Sequence, residues 1–174
     1  MEQHLKLVEQ AINGNDDAFV QLMQLYKVDL YKTALSFLKN KERSLEAVQE
    51  VTYRAYKNLH KVRQKQYFKT WLIRIMINYC QDELKKDQRI VKGDTMLEQR
   101  GESESYLSLE IEEALDKLDN RSREVVTLKY LQELSIKEIA TVMERPEGTI
   151  KTWLHKALQQ LRAIVKEEGG TRHE

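Results

Sequence analysis

Apolar residues recur every three to four positions over most of this chain, which is the spacing of amphipathic helices. From 44 to 59, Leu45, Val48, Val51, Thr52, Ala55, Tyr56 and Leu59 fall on one side, with Glu46, Glu50, Tyr53 and Lys57 opposite. Ser44 is the N-cap this pattern predicts. From Phe68 to Lys86, Trp71, Leu72, Ile75, Met76 and Tyr79 form a stripe that reads as core. Arg74, Asn78, Gln81 and Lys85 lie on the other side, a solvated face. Asn13-Gly14-Asn15-Asp16 and Asn40-Lys41 break the helices before them. The segment Lys61–Gln66 is basic and weakly patterned, and is expected to be a loop.

Between Lys92 and Tyr106 the period disappears into a polar, acidic run. The chain therefore divides into a unit over 1–92, a linker over 93–107, a second unit over 108–168 and a frayed tail over 169–174. The second unit reads as helices near 108–118, 121–131, 135–143 and 147–167. Ser135 with Glu138 has the capping-box spacing. Pro146 forces a turn and suits a first helical position. The expected fold class is all-α: two small helical domains joined by an acidic flexible linker. A Pro count of 1 and a Gly count of 6 agree with it, because little interrupts the helices.

Two short helices about a tight turn, 135–143 and 147 onward, are the skeleton of a helix-turn-helix. Ile139, Ala140, Met143 and Ile150 are placed to lock the pair. On the last helix Ile150, Leu154, Ala157, Leu158, Leu161 and Val165 share the core side, with Trp153 at its edge. Gly148, Lys151, Thr152, His155 and Gln159 project away, and Lys156 flanks them. Donors at the start of such a helix suit base edges and phosphates in a major groove. A helical bundle with a plain solvated face has the same pattern. Glu144 takes a turn position where Gly is common, and a left-handed conformation there costs about 1–2 kcal/mol.

The formal net charge of +1 conceals a segregation. Residues 54–92 carry eleven Lys/Arg against three acids, whereas 94–113 carry seven acids against Arg100 alone. Local fields decide polyanion binding, so overall neutrality does not exclude it. Cys80 is the only cysteine, which rules out an internal disulfide and suggests a small buried residue. No stretch has the roughly 20 apolar residues of a membrane span, and no signal-peptide core begins the chain. His4, His60, His155 and His173 have unrelated spacings, and no phosphate loop, zinc spacing or nucleophile–base motif occurs. No cofactor, no metal and no catalysis by this chain are expected, with a cytoplasmic location.

Two motif regions in this order resemble the extracytoplasmic-function sigma factors of bacterial RNA polymerase over nearly the whole chain. Ser44–Tyr56 with Trp71–Asp82 looks like family region two. Ala114–Asp119, Glu138–Ala140 and Gly148–Ala157, ending in Leu161-Arg162, look like region four. The resemblance implies that Glu46, Gln49, Glu50 and Arg54 bind the clamp helices of the polymerase's largest subunit, with a further contact to its flap. It implies that Lys61, Arg63, Gln64, Lys65, Arg74, Asn78 and Lys85 serve the melted minus-ten strand. Gly148, Lys151, Thr152, His155 and Lys156 would read the minus-thirty-five duplex. It further implies an anti-sigma partner in a stress response, able to hold the protein at the membrane without insertion of the chain itself. Ile77 stands where the family often has a basic residue, which implies one phosphate contact fewer. Trp153 and His155 are unusual for the reading helix. The acidic linker suits a path through a positively charged polymerase channel, and equally suits a solubilising spacer. An autonomous helix-turn-helix repressor and a helical adaptor without a DNA role are the competing readings.

Overall fold

A computed structural model describes residues 1–91 and 109–171. The linker expected at 93–107 and the last three residues of the expected tail lie outside the described residues. The chain forms two compact units, Met1–Ser103 and Glu104–Glu174. All described regular elements are helical, as the periodicity predicts.

The first unit holds α1 (Glu2–Ile12), α2 (Asp16–Leu38), α3 (Lys41–Lys57) and α4 (Phe68–Val91). Helix α2 is central and packs against the other three. Its start is set locally. Gly14 takes φ +97°, and Asn15 Oδ1 accepts from Ala18 N at 3.1 Å. Its end is Lys39 in a left-handed conformation, after which Asn40 Oδ1 accepts from Arg43 N at 2.9 Å. The N-cap of α3 is thus Asn40, four residues before the expected cap. Ser44 lies inside the helix, fully buried, and its hydroxyl donates to Asn40 O at 2.6 Å.

The buried face of α3 is Ser44, Ala47, Val51 and Ala55. Leu45 and Tyr56, expected inside, are 57% and 48% exposed. Small side chains let the backbones of α2, α3 and α4 approach closely, so the contact face is the least conspicuous one in the sequence. The buried face of α4 is also displaced from the expected stripe. Phe68, Leu72, Ile73, Met76, Ile77 and Cys80 are fully buried, while Trp71, Ile75 and Tyr79 are only half-buried. Each large apolar side chain so buried contributes about 1.5–3 kcal/mol. Ile77 is therefore core. A phosphate contact was never available from this position, which corrects the surface role implied for it.

The second unit holds α5 (Leu109–Asp116), α6 (Asn120–Val126), α7 (Ile136–Met143) and α8 (Glu147–Thr171). The expected helix over 121–131 changes after Val126 into a π turn, Thr127–Leu131, where Gln132 N donates to Thr127 O. Helix α8 packs against α5, α6 and α7. Ile150, Leu154 and Ala157 are buried, but Leu158 and Leu161 are half-buried and Val165 is 54% exposed, against expectation. The 25-residue α8 outruns the shorter helices that cover it. It also continues through Gly169 and Gly170, where fraying was expected. Arg123 pairs with Asp116 at 3.2 Å, tying α6 to α5.

Candidate nucleic-acid interface

In the first unit the basic segment forms two 3-10 turns, Leu59–Lys61 and Lys65–Tyr67, around a short extended piece. Lys61, Arg63 and Gln64 are exposed. Lys65 is half-buried and paired with Glu9 of α1 at 3.0 Å. An open hollow of about 660 Å³ lies between α1 and this segment, lined by Lys6, Glu9, Arg63, Gln64 and Gln66 among others.

Helix α4 leaves this segment directly. Asn78 and Lys85 are exposed on its outer side, whereas Arg74 is half-buried. Asn78 lies ten residues beyond Phe68, about 15 Å along the axis. Loop and amide thus lie along a track and do not line one pocket. Seven residues apart, Trp71 and Asn78 lie only about 20° apart around α4, so they share a side and are not opposed as the sequence reading had them. Half-buried and tilted against Phe68, Trp71 adds an aromatic face to the track. Sequence reading missed it by assigning the largest ring to the core.

Helix α3 exposes Glu46, Gln49 and Arg54, with Glu50 half-buried. Arg54 Nε donates to Glu50 Oε1 at 3.0 Å and the guanidinium lies over the Tyr79 ring, so this pair is tied to α4. Burial, then the Glu83 and Glu50 charges, push the Tyr79 hydroxyl above its ordinary pKa. Leu45 and Tyr53, both 57% exposed, flank the polar quartet. Apolar side chains beside polar ones suit a protein partner better than nucleic acid.

In the second unit the helix-turn-helix is assembled by local chemistry. Ser135 and Glu138 make the full capping box, with Ser135 N donating to Glu138 Oε2 at 2.8 Å and Glu138 N to Ser135 Oγ at 3.1 Å. Ile139, Ala140 and Met143 of α7 and Ile150 and Leu154 of α8 are buried in this unit. Glu144 ends α7 at φ +54°, in the left-handed region. Arg145 N then donates to Ala140 O at 3.0 Å, and Pro146 O accepts from Ile150 N at 3.2 Å as α8 begins. Gly148, Lys151, Thr152, His155 and Lys156 are all exposed. Thr152 Oγ1 donates back to Gly148 O at 2.9 Å, which fixes the hydroxyl rotamer. Asp119 caps α6. Its carboxyl is held below its ordinary pKa, first by the hydrogen bond from Ser122 N and also by the Lys156 charge. Arg121 lies over the Trp153 ring, 4.4 Å from its centroid. No periodicity signals such a contact between distant positions.

Among the described residues no group of His, Cys, Asp or Glu is arranged to hold a metal, and no helix is long and apolar enough to cross a membrane. A helical bundle bearing a basic, partly aromatic track, joined to a helix-turn-helix with a donor-rich leading helix, defines a two-module nucleic-acid-binding class. Comparison with known proteins narrows it. Residues 22–90 match the family described as Sigma-70 region 2, and residues 108–161 match Sigma-70, region 4. RNA polymerase sigma factor SigV of Bacillus subtilis is 31% identical over 146 residues, covering 82% of this chain and 88% of that protein. ECF RNA polymerase sigma factor SigW of the same organism is 29% identical, covering 93% and 96%. The solved structure of CnrH in complex with the cytosolic domain of CnrY aligns with a TM-score of 0.69 at 25% identity, covering 94% of this chain and 97% of that one. The chain belongs to the extracytoplasmic-function sigma factors of RNA polymerase.

Proposed function

We propose that this sigma factor directs promoter-specific initiation by a division of labour between its two units, without chemistry of its own. The observation that carries the proposal is the exposed polar set Lys151, Thr152, His155 and Lys156 on the leading turns of α8, in a chain that also carries the region-two unit. Gly148 lets the backbone approach closely, Lys151 and Lys156 supply charge for phosphates, and Thr152 and His155 offer hydrogen bonds to base edges. These residues read the minus-thirty-five element as duplex.

The first unit holds the melted minus-ten strand. Lys61, Arg63, Gln64 and Lys65 attract its backbone, with Arg74 and Lys85 further along α4. The Asn78 amide, exposed on α4, offers both a donor and an acceptor to one unstacked base. Trp71 supplies a stacking surface beside it. Glu46, Gln49, Glu50 and Arg54, flanked by Leu45 and Tyr53, dock on the clamp helices of core polymerase, and the second unit engages the flap. An anti-sigma factor covering these faces would keep the protein inactive in the cytoplasm until a stress signal releases it. The solved complex of the sigma factor RpoE with the anti-sigma factor NepR from Bartonella quintana has a similarly folded sigma chain.

In vitro transcription tests the reading. Added to core polymerase lacking any sigma factor, the chain is expected to start transcripts at discrete promoters. A chain that binds duplex DNA yet never programs core polymerase would be a repressor or activator instead.

A further inference from the structure

We propose that Arg121 is a further contact with the phosphate backbone of duplex DNA, positioned by Trp153. The inference rests on the duplex-reading role of α8 and extends it to a residue of α6, outside the helix-turn-helix pair. Around α8, Lys156 lies about 40° beyond Thr152, and Trp153 about 60° beyond Lys156. The exposed reading face therefore passes through a flanking lysine to an indole. Arg121 is exposed, and its guanidinium carbon sits 4.4 Å from that ring's centroid. Two other cation–ring contacts among the described residues, Arg54 over Tyr79 and Lys57 over Tyr53, are longer, at 5.1 Å each.

A guanidinium held on a ring face spends no hydrogen-bond donor on that contact, and its ordering is complete before DNA arrives. A helix about 10–12 Å across nearly fills a major groove about 12 Å wide. Residues on the flanks of the reading helix therefore meet the phosphates of the groove walls. Lys156 and Arg121 are successive cations on one such flank. Asp119 is the nearby opposing charge. Its carboxylate is occupied by Ser122 N and Ser122 Oγ, both at 2.9 Å, and offset by Lys156. This also gives Trp153 a purpose. It is an unusual residue on the reading helix because it is a platform, not a reader.

Binding of the full chain to a short mixed-sequence DNA duplex, measured between roughly 50 and 200 mM salt, tests the proposal. Arg121→Gln is expected to weaken binding at low salt and to lower the slope of log affinity against log salt by about 0.9, the value of one phosphate contact. Arg121→Lys should recover most of the slope. Trp153→Leu should give a partial loss, and the double variant should lose no more than Arg121→Gln alone. A packing role alone would shift thermal stability and leave the salt slope untouched. If Lys151→Ala lowers the slope and Arg121→Gln does not, the proposal is overturned while the duplex-reading role stands. If the unaltered chain shows no salt-dependent duplex binding, both fail.

Discussion

The guanidinium of Arg43 grips the carboxylate of Asp87 in a two-pronged contact, Nη1 to Oδ2 at 2.8 Å and Nη2 to Oδ1 at 3.2 Å. Glu83 approaches the same guanidinium at 3.9 Å. The contact joins the first turn of α3 to the far end of α4, beyond Asn78. It holds α3 and α4 in one setting. Both side chains are partly exposed, so screening keeps the pair to about 1 kcal/mol. Arg43→Ala and Asp87→Ala should each lower the urea midpoint of the first unit, and the double variant should lose less than the sum. Strict additivity would show the pair to be uncoupled.

The left-handed turn at Glu144 stores strain that glycine would not. Glu144→Gly is expected to stabilise the second unit by about 1 kcal/mol, read as a higher denaturation midpoint, and Glu144→Ala is not. The side chain is exposed, so no lost packing offsets the gain. A destabilised glycine variant would show that Glu144 holds the turn by contacts, not despite its conformation.

Ile77 tests whether the buried face of α4 lies as described. A basic residue at this fully buried position should not add DNA affinity. Ile77→Lys is expected to cost about 3–5 kcal/mol through an unpaired buried charge, while Ile77→Val costs about 1 kcal/mol. Thermal melts of both variants decide it. A stable Ile77→Lys chain with tighter strand binding would put this side chain on the surface.

Asp119 sets a pH window. Its pKa is lowered from the ordinary 3.8 in the folded chain. Its charged form therefore stabilises the fold fully above the unfolded value, and this contribution is lost as pH falls through the lower folded value. Asparagine caps helices almost as well but carries no charge. Asp119→Asn should therefore be less stable than the unaltered chain at neutral pH. The two stabilities should converge as pH drops below about 4. A difference independent of pH would assign the effect to shape, not charge.

Much of this was legible in the sequence where the determinants are local. The Ser135–Glu138 box, the Asn15 break and the Pro146 turn each lie within a few residues of what they control, and the helix-turn-helix followed from them. The setting of α3 was not legible. Ser44, Ala47 and Ala55 are buried because they are small and allow close crossing, yet they carry little hydrophobic signal beside Leu45 and Tyr56. Trp71 misled for the opposite reason, since a large ring counts heavily towards a core it only borders. On α8, periodicity continued past the point where neighbouring helices end, so Val165 was assigned to a core that does not reach it. The Arg121–Trp153 contact depends on tertiary proximity, which no pattern along the chain encodes.

Asn78 and Lys151 stand for the two units, and crossing them tests the account most directly. With core polymerase and a cognate promoter, Lys151→Ala should weaken binding of the minus-thirty-five duplex and lower its salt slope by about 1. Asn78→Ala should leave that binding intact and slow strand opening, followed by a fluorescent base in the minus-ten element. Equal losses in both assays for both variants would contradict a split between single-strand capture and duplex reading.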